Sequence, residues 1–269
     1  MTIKEYVTEQ KTQLRALVSE KQPVRLYIIQ VGDNPASNSY IRGKFSDCAE
    51  VGIEVELIKL AESTTTEDLV SMVYNVSRSS YYSGVIVQLP LPKHIDVKKV
   101  QAAISPIHDV DGFHKDSDFV PCTPMGVINY LTDIGLQLEG LNAVVIGRSD
   151  IVGKPLAKLL TDLNCTVTLA HSKTSSEALK RYIHSADIVF TAIDKIEYFD
   201  MSFAEAFGGV STVIDIGLGK NADGKLKGNL STELVNQLKS QGSHVISGVG
   251  GVGLLTRLQL LKNTVEAKY

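Results

Sequence analysis

The alternation of short apolar runs with segments of helical pattern constrains this chain more than any other feature. In the first half, apolar runs and helical patterns follow one another in the order Arg25–Val31, Tyr40–Val51, Glu54–Leu60, Thr66–Arg78 and Gly84–Gln88. The apolar runs have the length and composition of strands, and the segments between them are long enough for crossover helices. This βαβαβ order predicts an α/β domain built on a parallel sheet.

A second alternating set occupies the other half of the chain. Its expected strands are Ala143–Gly147, Thr166–Ala170, Asp187–Ala192, Thr212–Gly217 and His244–Ser247. A helix is expected between the first two strands, at Pro155–Leu163. The two prolines of Pro121–Pro124 mark the expected domain boundary. We therefore expect one α/β domain at 1–121, joined by a C-terminal helix at 254–269, and a Rossmann-like dinucleotide-binding domain at 122–253.

Composition and charge exclude several classes of function. The formal net charge of -3, without a basic block, argues against a nucleic-acid partner. No apolar run approaches the roughly 20 residues of a membrane helix, and the polar start MTIKEYVTEQ lacks the core of a signal peptide. Cys48, Cys122 and Cys165 lack the spacing of a metal-binding pair or a disulfide framework. We expect a cytoplasmic protein with no metal site and no membrane partner.

The expected strand Ala143–Gly147 runs into a short segment that ends with Gly153, before the helix begins. Glycine allows a tight turn and a close approach of phosphate to the backbone, and the helix N-terminus supplies N–H donors. The pattern therefore predicts a nucleotide site at Gly147 and Gly153. Because the spacing is not GxGxxG, an ordinary βα turn remains the alternative.

The segment after the next strand indicates which nucleotide would bind. NAD-specific folds of this type place an acid there to hold the ribose 2′-hydroxyl, but His171–Thr174 contains no carboxylate. Arg148, Ser149, Ser172 and Lys173 instead offer cations and hydroxyls that could hold a 2′-phosphate. The sequence favours NADP over NAD, with an ordinary solvated loop as the alternative.

Three polar residues of the first half are candidates for a proton-transfer site, in which a lysine is the group that carries the proton. Tyr40 and Lys44 are four residues apart and share one face of a helix. Gln88 ends a buried-looking strand, where ligands collect in open α/β sheets. An uncharged amide can orient a lysine without pairing its charge permanently. A solvated helix face and a strand-end turn are the alternative interpretations.

Two carboxylates occupy alternate positions of the turn Asp109–Phe113. A carboxylate such as that of Asp111 can accept two parallel hydrogen bonds from an amidine-like ring edge. The alternative is that Asp and Gly serve only to form the turn.

Taken together, these segments resemble the bifunctional methylenetetrahydrofolate dehydrogenase/cyclohydrolase (FolD) family. The resemblance spans nearly the whole chain, and the matching segments keep the family's order. They are Val31–Ser37 followed by Tyr40 and Lys44, then Gly84–Pro92, Asp109–Phe113, Pro121–Pro124, Val145–Ser149, Gly153–Pro155, His171–Thr174 and Val213–Gly217.

The resemblance implies functions for particular residues. In the family, the residues matching Tyr40, Lys44, Gln88 and Asp111 form the catalytic and folate site. Those matching Arg148, Ser149 and Ser172 are associated with the NADP phosphate. The full set of expected cofactor-binding residues is Gly147, Arg148, Ser149, Gly153, Ser172, Lys173, Gly253 and Thr256. The family is typically a homodimer of two-domain subunits with the active site in the interdomain cleft.

The implied reaction oxidises 5,10-methylenetetrahydrofolate with NADP⁺ and then hydrolyses 5,10-methenyltetrahydrofolate to 10-formyltetrahydrofolate. Near its end the chain departs from the family, because the glycine-rich stretch 248–254 replaces a proline-rich loop, and Gly219 and Asn229 replace an asparagine and an aspartate. Two alternatives therefore stay open. One is a shikimate-dehydrogenase-like oxidoreductase, and the other is a folate- or nucleotide-binding protein that has lost catalysis.

Overall fold

The computed structural model describes residues 1–20 and 23–267, which form two compact units. The unit that we call the N-terminal unit comprises Thr2–Cys122 and Arg257–Tyr269. The other, called the C-terminal unit, comprises Thr123–Thr256 together with Met1. Residues 268 and 269, the end of the segment expected to join the first domain, lie outside the described residues.

The N-terminal unit is built on a parallel sheet of three strands in the order β2-β1-β3. Its elements are α1 (Ile3–Ser19), β1 (Arg25–Val31), α2 (Pro35–Val51), β2 (Glu54–Leu60), α3 (Thr66–Val76), β3 (Gly84–Val87) and α4 (Val97–Ala103). The two outer strands lie on opposite sides of β1, so the carboxyl ends of β1 and β3 adjoin a topological switch point. The predicted α/β fold with a parallel sheet is confirmed.

The apolar pattern placed the start of helix α2 at Tyr40, but the helix begins five residues earlier. The Asn34 side chain accepts hydrogen bonds from the backbone N–H groups of Ala36 and Ser37, and Pro35 occupies the first helical position. Both features favour a helix start. The helix ends at Gly52, whose φ of 88° is left-handed. Tyr40 and Lys44 therefore lie well inside a helix with fixed ends.

The C-terminal unit carries a parallel sheet of five strands in the order β10-β7-β6-β4-β5 and an antiparallel hairpin, β8-β9. Its elements are α5 (Cys122–Asp133), β4 (Asn142–Ile146), α6 (Gly153–Asp162), β5 (Thr166–Ala170), α7 (Ser176–His184), β6 (Ile188–Thr191), α8 (Ala204–Phe207), β7 (Thr212–Asp215), β8 (Leu218–Lys220), β9 (Leu226–Gly228), α9 (Thr232–Ser240), β10 (His244–Ile246) and α10 (Gly253–Glu266). From Arg257 onward, α10 belongs to the N-terminal unit. This doubly wound sheet confirms the Rossmann-like expectation.

The strand order of the five-stranded sheet reverses between β4 and β6. Strand β5 lies on one side of β4, and the later strands lie on the other side. Ligands of doubly wound folds bind beyond the carboxyl ends of the strands at such a point. In the described part of the chain, no helix combines the length and apolar character needed to cross a membrane.

Candidate active site

Lys44 and Gln88 form a hydrogen-bonded pair inside the N-terminal unit. Lys44 is only 5% exposed and Gln88, which directly follows β3, is 9% exposed. The Lys44 Nζ donates to the Gln88 Oε1 at 3.2 Å, and the Gln88 Nε2 donates to the Leu89 carbonyl at 2.6 Å. Because the Gln88 Nε2 donates to the Leu89 carbonyl, the Gln88 Oε1 is turned toward the lysine.

Tyr40 lies one helical turn before Lys44 and contributes its ring to the same place. The Lys44 Nζ is 5.4 Å from the centre of the Tyr40 ring, which is within the range of cation–π attraction. The Tyr40 side chain is half-buried, so part of it remains accessible to a ligand. The structure thus brings together the three residues that were predicted from the sequence to form a proton-transfer site.

Asp111 lies in a turn that is fixed from several sides. The backbone N–H of Gly112 donates to the Asp109 carbonyl at 3.0 Å, and Gly112 has a φ of 75°. A Cβ atom at Gly112 would lie 2.6 Å from the Val120 carbonyl carbon, so this position requires glycine. The preceding residue, Val110, is fully buried, and its carbonyl accepts a hydrogen bond from the Asn263 Nδ2 at 2.8 Å.

The two carboxylates of this turn differ in exposure, although burial raises the pKa of both. The Asp111 side chain is partly accessible, yet desolvation raises the pKa of its carboxyl group, and the positive charge of Lys44 offsets part of the rise. Asp109 is completely buried, and this burial raises its pKa to about 6. Asp111 is therefore the carboxylate that a ligand can reach, and Lys44 is near enough to act on its charge.

A cavity of about 380 Å³ lies in the C-terminal unit at the switch point beyond β4 and β6. Among the predicted cofactor residues, Gly147, Arg148 and Ser172 line it. A Cβ atom at Gly147 would lie 2.1 Å from the Ala192 carbonyl oxygen, and one at Gly153 would lie 2.0 Å from the Gly147 carbonyl oxygen. These glycines keep the backbone open at the start of α6, where N–H groups can face a phosphate, so the residues present fit a dinucleotide.

Ser149 lies in the segment before α6 and accepts hydrogen bonds from the residues at the start of that helix. Its Oγ accepts hydrogen bonds from the backbone N–H groups of Val152 at 3.2 Å and Gly153 at 3.4 Å. The hydroxyl hydrogen stays available as a donor to an anion. The adjacent Asp150 forms an ion pair with Lys154 at 2.5 Å, so its carboxylate is directed to a cation in the first turn of α6.

The residues after β5 form a tight turn. The Thr174 N–H donates to the His171 carbonyl at 2.8 Å, and the Lys173 N–H donates to the His171 Nδ1 at 3.2 Å. Ser172 and Lys173 are exposed at the tip of this turn. Ser172 lines the cavity, whereas Lys173 lies outside its lining.

The segment after β6 contains cavity residues that the sequence argument missed. Asp194, Lys195 and Tyr198 all line the cavity, and the Lys195 Nζ is 5.1 Å from the centre of the Tyr198 ring. Asn229 fixes this segment, since its Nδ2 donates to the Lys195 carbonyl at 2.7 Å. The sequence signal that could have indicated these residues was their position directly after a central strand. The cavity lining therefore includes one carboxylate, Asp194, in addition to the residues predicted to hold NADP.

Gly253 and Thr256, the last two predicted cofactor residues, lie at the start of α10. The Thr256 Oγ1 is 3.0 Å from the Thr123 Oγ1 and donates to the Val252 carbonyl at 3.1 Å. Neither Gly253 nor Thr256 lines the cavity that contains Arg148. The structure thus groups only part of the predicted cofactor set.

The fold and the two sites first define a class of protein. A doubly wound sheet with a nucleotide-sized cavity at its switch point is typical of dinucleotide-dependent oxidoreductases. The other unit adds a buried lysine that is held by a neutral amide, which is an arrangement suited to proton transfer.

Comparisons with known proteins identify the family. Residues 1–111 match the catalytic domain of tetrahydrofolate dehydrogenase/cyclohydrolase, and residues 121–269 match its NAD(P)-binding domain. The chain belongs to this family. The Bifunctional protein FolD of Ruminiclostridium cellulolyticum is 43% identical over 251 residues, which cover 90% of this chain and 86% of that protein.

Two solved structures of the same kind are similar over almost their whole length. The bifunctional enzyme FolD from Campylobacter jejuni has a TM-score of 0.89 and 33% identity, covering 98% of this chain and 96% of that one. The Trypanosoma brucei methylenetetrahydrofolate dehydrogenase-cyclohydrolase, solved with NADP cofactor and inhibitor, has a TM-score of 0.85 and 26% identity. The match covers 98% of this chain and 95% of that one.

Family membership confirms the main functional expectation. The chain is a bifunctional enzyme of folate one-carbon metabolism, a methylenetetrahydrofolate dehydrogenase and a methenyltetrahydrofolate cyclohydrolase. The expected NADP cofactor agrees with the NAD(P)-binding domain and with the Trypanosoma brucei complex. The alternative of a shikimate-dehydrogenase-like enzyme is not supported, since shikimate dehydrogenase structures share the fold alone. The other alternative, a binding protein without catalysis, is not supported either.

Proposed function

We propose that Lys44, Gln88, Tyr40 and Asp111 form the folate and catalytic site of this enzyme, and that the cavity of the C-terminal unit holds NADP. The observation that carries this proposal is the buried hydrogen bond between the Lys44 Nζ and the Gln88 Oε1. In the first reaction, 5,10-methylenetetrahydrofolate is oxidised to the 5,10-methenyl cation, and bound NADP⁺ supplies the hydride acceptor. In the second, water adds to the cation and ring opening gives 10-formyltetrahydrofolate.

Lys44 moves the proton in the hydrolytic reaction. Water that attacks the methenyl carbon must lose a proton, and a lysine Nζ can accept it and return it to the departing ring nitrogen. Gln88 holds the lysine through a neutral oxygen, so the group that positions the Lys44 Nζ is not itself a carboxylate. A carboxylate at the same place would hold the ammonium permanently charged.

Asp111 and Tyr40 bind and orient the folate. The Asp111 carboxylate accepts two parallel hydrogen bonds from the amidine-like edge of the pterin. The half-buried Tyr40 ring stacks on the aminobenzoyl group. Orientation of this kind holds the one-carbon unit near the Lys44 Nζ.

In this proposal, the 2′-phosphate of NADP binds to Arg148, Ser149, Ser172 and Lys173, which supply two cations and two hydroxyl donors. Gly147 and Gly153 keep the backbone open to the pyrophosphate. Gly253 and Thr256 complete the set as further cofactor contacts. In this proposal, 1–121 with 254–269 is the folate domain, and 122–253 is the NADP domain.

The test of the proposed function is a dehydrogenase assay with 5,10-methylenetetrahydrofolate and NADP⁺ or NAD⁺ in turn. A cyclohydrolase assay then follows the loss of 5,10-methenyltetrahydrofolate in the absence of nucleotide. We expect both activities, with NADP⁺ preferred. Binding of folate and nucleotide without turnover in either assay would contradict the proposal.

Asp111→Ala should weaken folate binding by about 1.5–3 kcal/mol, the range for hydrogen bonds to a charged group. Calorimetry with tetrahydrofolate measures this loss, and Asp116→Ala, an exposed carboxylate of the same loop region, is the matched control. Equal binding by wild type and Asp111→Ala would show that another residue holds the pterin.

We also propose that the enzyme is a cytoplasmic homodimer. Sedimentation analysis of the purified protein should then give a mass of twice the 29.2 kDa of one chain. A mass of one chain at assay concentrations, with full activity, would contradict this.

A further inference from the structure

Asp109, two residues before the proposed pterin ligand, is a buried carboxylate to which the proposed reaction assigns no task. Its side chain is 0% exposed. One oxygen, Oδ2, accepts a hydrogen bond from the His114 backbone N–H at 2.7 Å. The other, Oδ1, is buried and has no hydrogen-bond partner among the described residues. A carboxylate that is buried with half of its hydrogen-bonding capacity unused is costly, and such groups cluster at functional sites.

The bonds of Asp109 close the loop that carries Asp111. Besides the bond from the His114 N–H to its side chain, its carbonyl accepts from the Gly112 N–H at 3.0 Å and from the Ser117 Oγ at 3.1 Å. Its backbone also pairs with Val85 of β3 as an isolated parallel bridge. Asp109 therefore ties the loop, at three later positions, to the strand that ends next to Gln88.

The residue between the two carboxylates is already fixed by other contacts. The Val110 carbonyl accepts from the Asn263 Nδ2 at 2.8 Å and from the Cys122 Sγ at 3.2 Å. A Cβ atom at Gly84 would lie 2.7 Å from the Val110 Cγ1, so Val110 packs directly against the backbone of β3. Val110 is thus fixed on one side of Asp111, and the Asp111 carbonyl accepts from the Cys122 N–H at 3.3 Å. The Asp109 bonds hold the remaining part of the turn, from Gly112 to Ser117.

The charge of Asp109 faces a small set of titratable groups. These are Asp111, His114 and the neighbouring His108 of its own segment, the Cys122 thiol of α5 and, through Asp111, the Lys44 ammonium of α2. Burial is the largest cause that raises the pKa of Asp109, to about 6, and the negative charge of Asp111 adds to the rise. Asp109 therefore becomes ionised as the pH rises through the slightly acidic range.

We propose that Asp109 is a positioning residue for folate binding, which aims Asp111 through the His114 bond and strengthens its attraction for the pterin N–H groups when ionised. Two effects act in the same direction. An ionised acceptor makes a stronger bond to the His114 N–H, and a second negative charge near Asp111 makes the potential at the pterin edge more negative. This inference rests on the proposed role of Asp111.

The experiment measures tetrahydrofolate affinity by anaerobic calorimetry between pH 5 and 8 for the wild type, Asp109→Asn and Asp109→Ala. Asp109→Asn keeps the shape and an oxygen that can accept from the His114 N–H, but it cannot ionise. We expect wild-type affinity to rise about fivefold more than that of Asp109→Asn as the pH passes through 6, a size typical of one nearby charge in a partly solvated site. Asp109→Ala should bind about tenfold more weakly at every pH, because it loses the acceptor.

Two further measurements separate the inference from its alternatives. The KM for NADP⁺ should stay unchanged in both variants, and thermal unfolding confirms that each is folded. If the affinity of Asp109→Asn follows the wild-type pH profile, or if Asp109→Ala binds as tightly as the wild type, the inference is overturned. If Asp111→Asn also binds as tightly as the wild type, the fault lies in the proposed folate site rather than in Asp109 alone.

Discussion

Lys44→Met should abolish hydrolysis of 5,10-methenyltetrahydrofolate while the protein still binds folate. The thioether fills the space of the lysine chain in its buried position but cannot carry a proton. Positioned acid–base groups contribute about 10²- to 10⁴-fold to rates, so we expect a loss of at least this order. The measurement is the decay of methenyltetrahydrofolate absorbance, corrected for its spontaneous hydrolysis, together with calorimetry for folate binding.

Two matched variants make the Lys44 experiment specific. Lys44→Arg keeps the positive charge but cannot release a proton near neutral pH, so it should lose hydrolysis almost as completely as Lys44→Met. Lys98→Met changes an exposed lysine of the same unit and should leave the activity unaltered. Wild-type hydrolysis by Lys44→Met would remove the proposed role, and full activity of Lys44→Arg would mean that only the charge matters.

Much of the fold could be predicted from the sequence because the strands are short, apolar and evenly interrupted. The expected strands Arg25–Val31, Glu54–Leu60 and Thr166–Ala170 match β1, β2 and β5 at both ends, and the other expected strands differ from the structure by one or two residues at an end. The start of α2 was missed because it depends on a cap rather than on apolar periodicity. Asn34 and Pro35 are the residues that set it, and they lie before the first apolar turn.

The hairpin β8-β9 was not predicted for a different physical reason. Its two strands are only three residues long, and Leu218 and Leu226 on them are 40% and 52% exposed. Strands without a buried face show no regular apolar pattern, so the sequence offered no period to detect.

The residues of the candidate sites also divide into those that the sequence could predict and those that it could not. Helical spacing and a strand end made Tyr40, Lys44 and Gln88 candidates, and the family resemblance joined them into one site. The structure brings the three side chains together. The cavity residues Asp194 and Lys195 also follow a strand, but the end of β6 alone does not show which other strand end lies beside it. They were missed because their place depends on the strand order of the sheet, which brings the end of β6 beside the end of β4.

Arg148→Ala should lower the preference for NADP⁺ over NAD⁺ by about 10- to 100-fold, with turnover on NAD⁺ changing little. A 2′-phosphate carries a charge of about -1.5 to -2 at neutral pH, and a hydrogen bond to a charged group contributes roughly 1.5–3 kcal/mol. Asp194 is the one carboxylate among the described residues that line the same cavity. Without Arg148, one cation fewer offsets the repulsion between the Asp194 carboxylate and the phosphate. Both effects penalise the phosphate and spare NAD⁺.

Because specificity is a ratio, kcat/KM must be measured with both cofactors for each protein. Arg148→Lys keeps the charge but loses the planar pair of donors, so its preference should lie between those of the wild type and Arg148→Ala. Arg181→Ala, an exposed arginine of the same unit on α7 outside the cavity lining, is the control and should keep the wild-type ratio. An unchanged ratio in Arg148→Ala, or equal use of both cofactors by the wild type, would contradict the proposed phosphate site. The folate assignment would survive that outcome, since it rests on the Lys44–Gln88 pair and on Asp111 in the N-terminal unit.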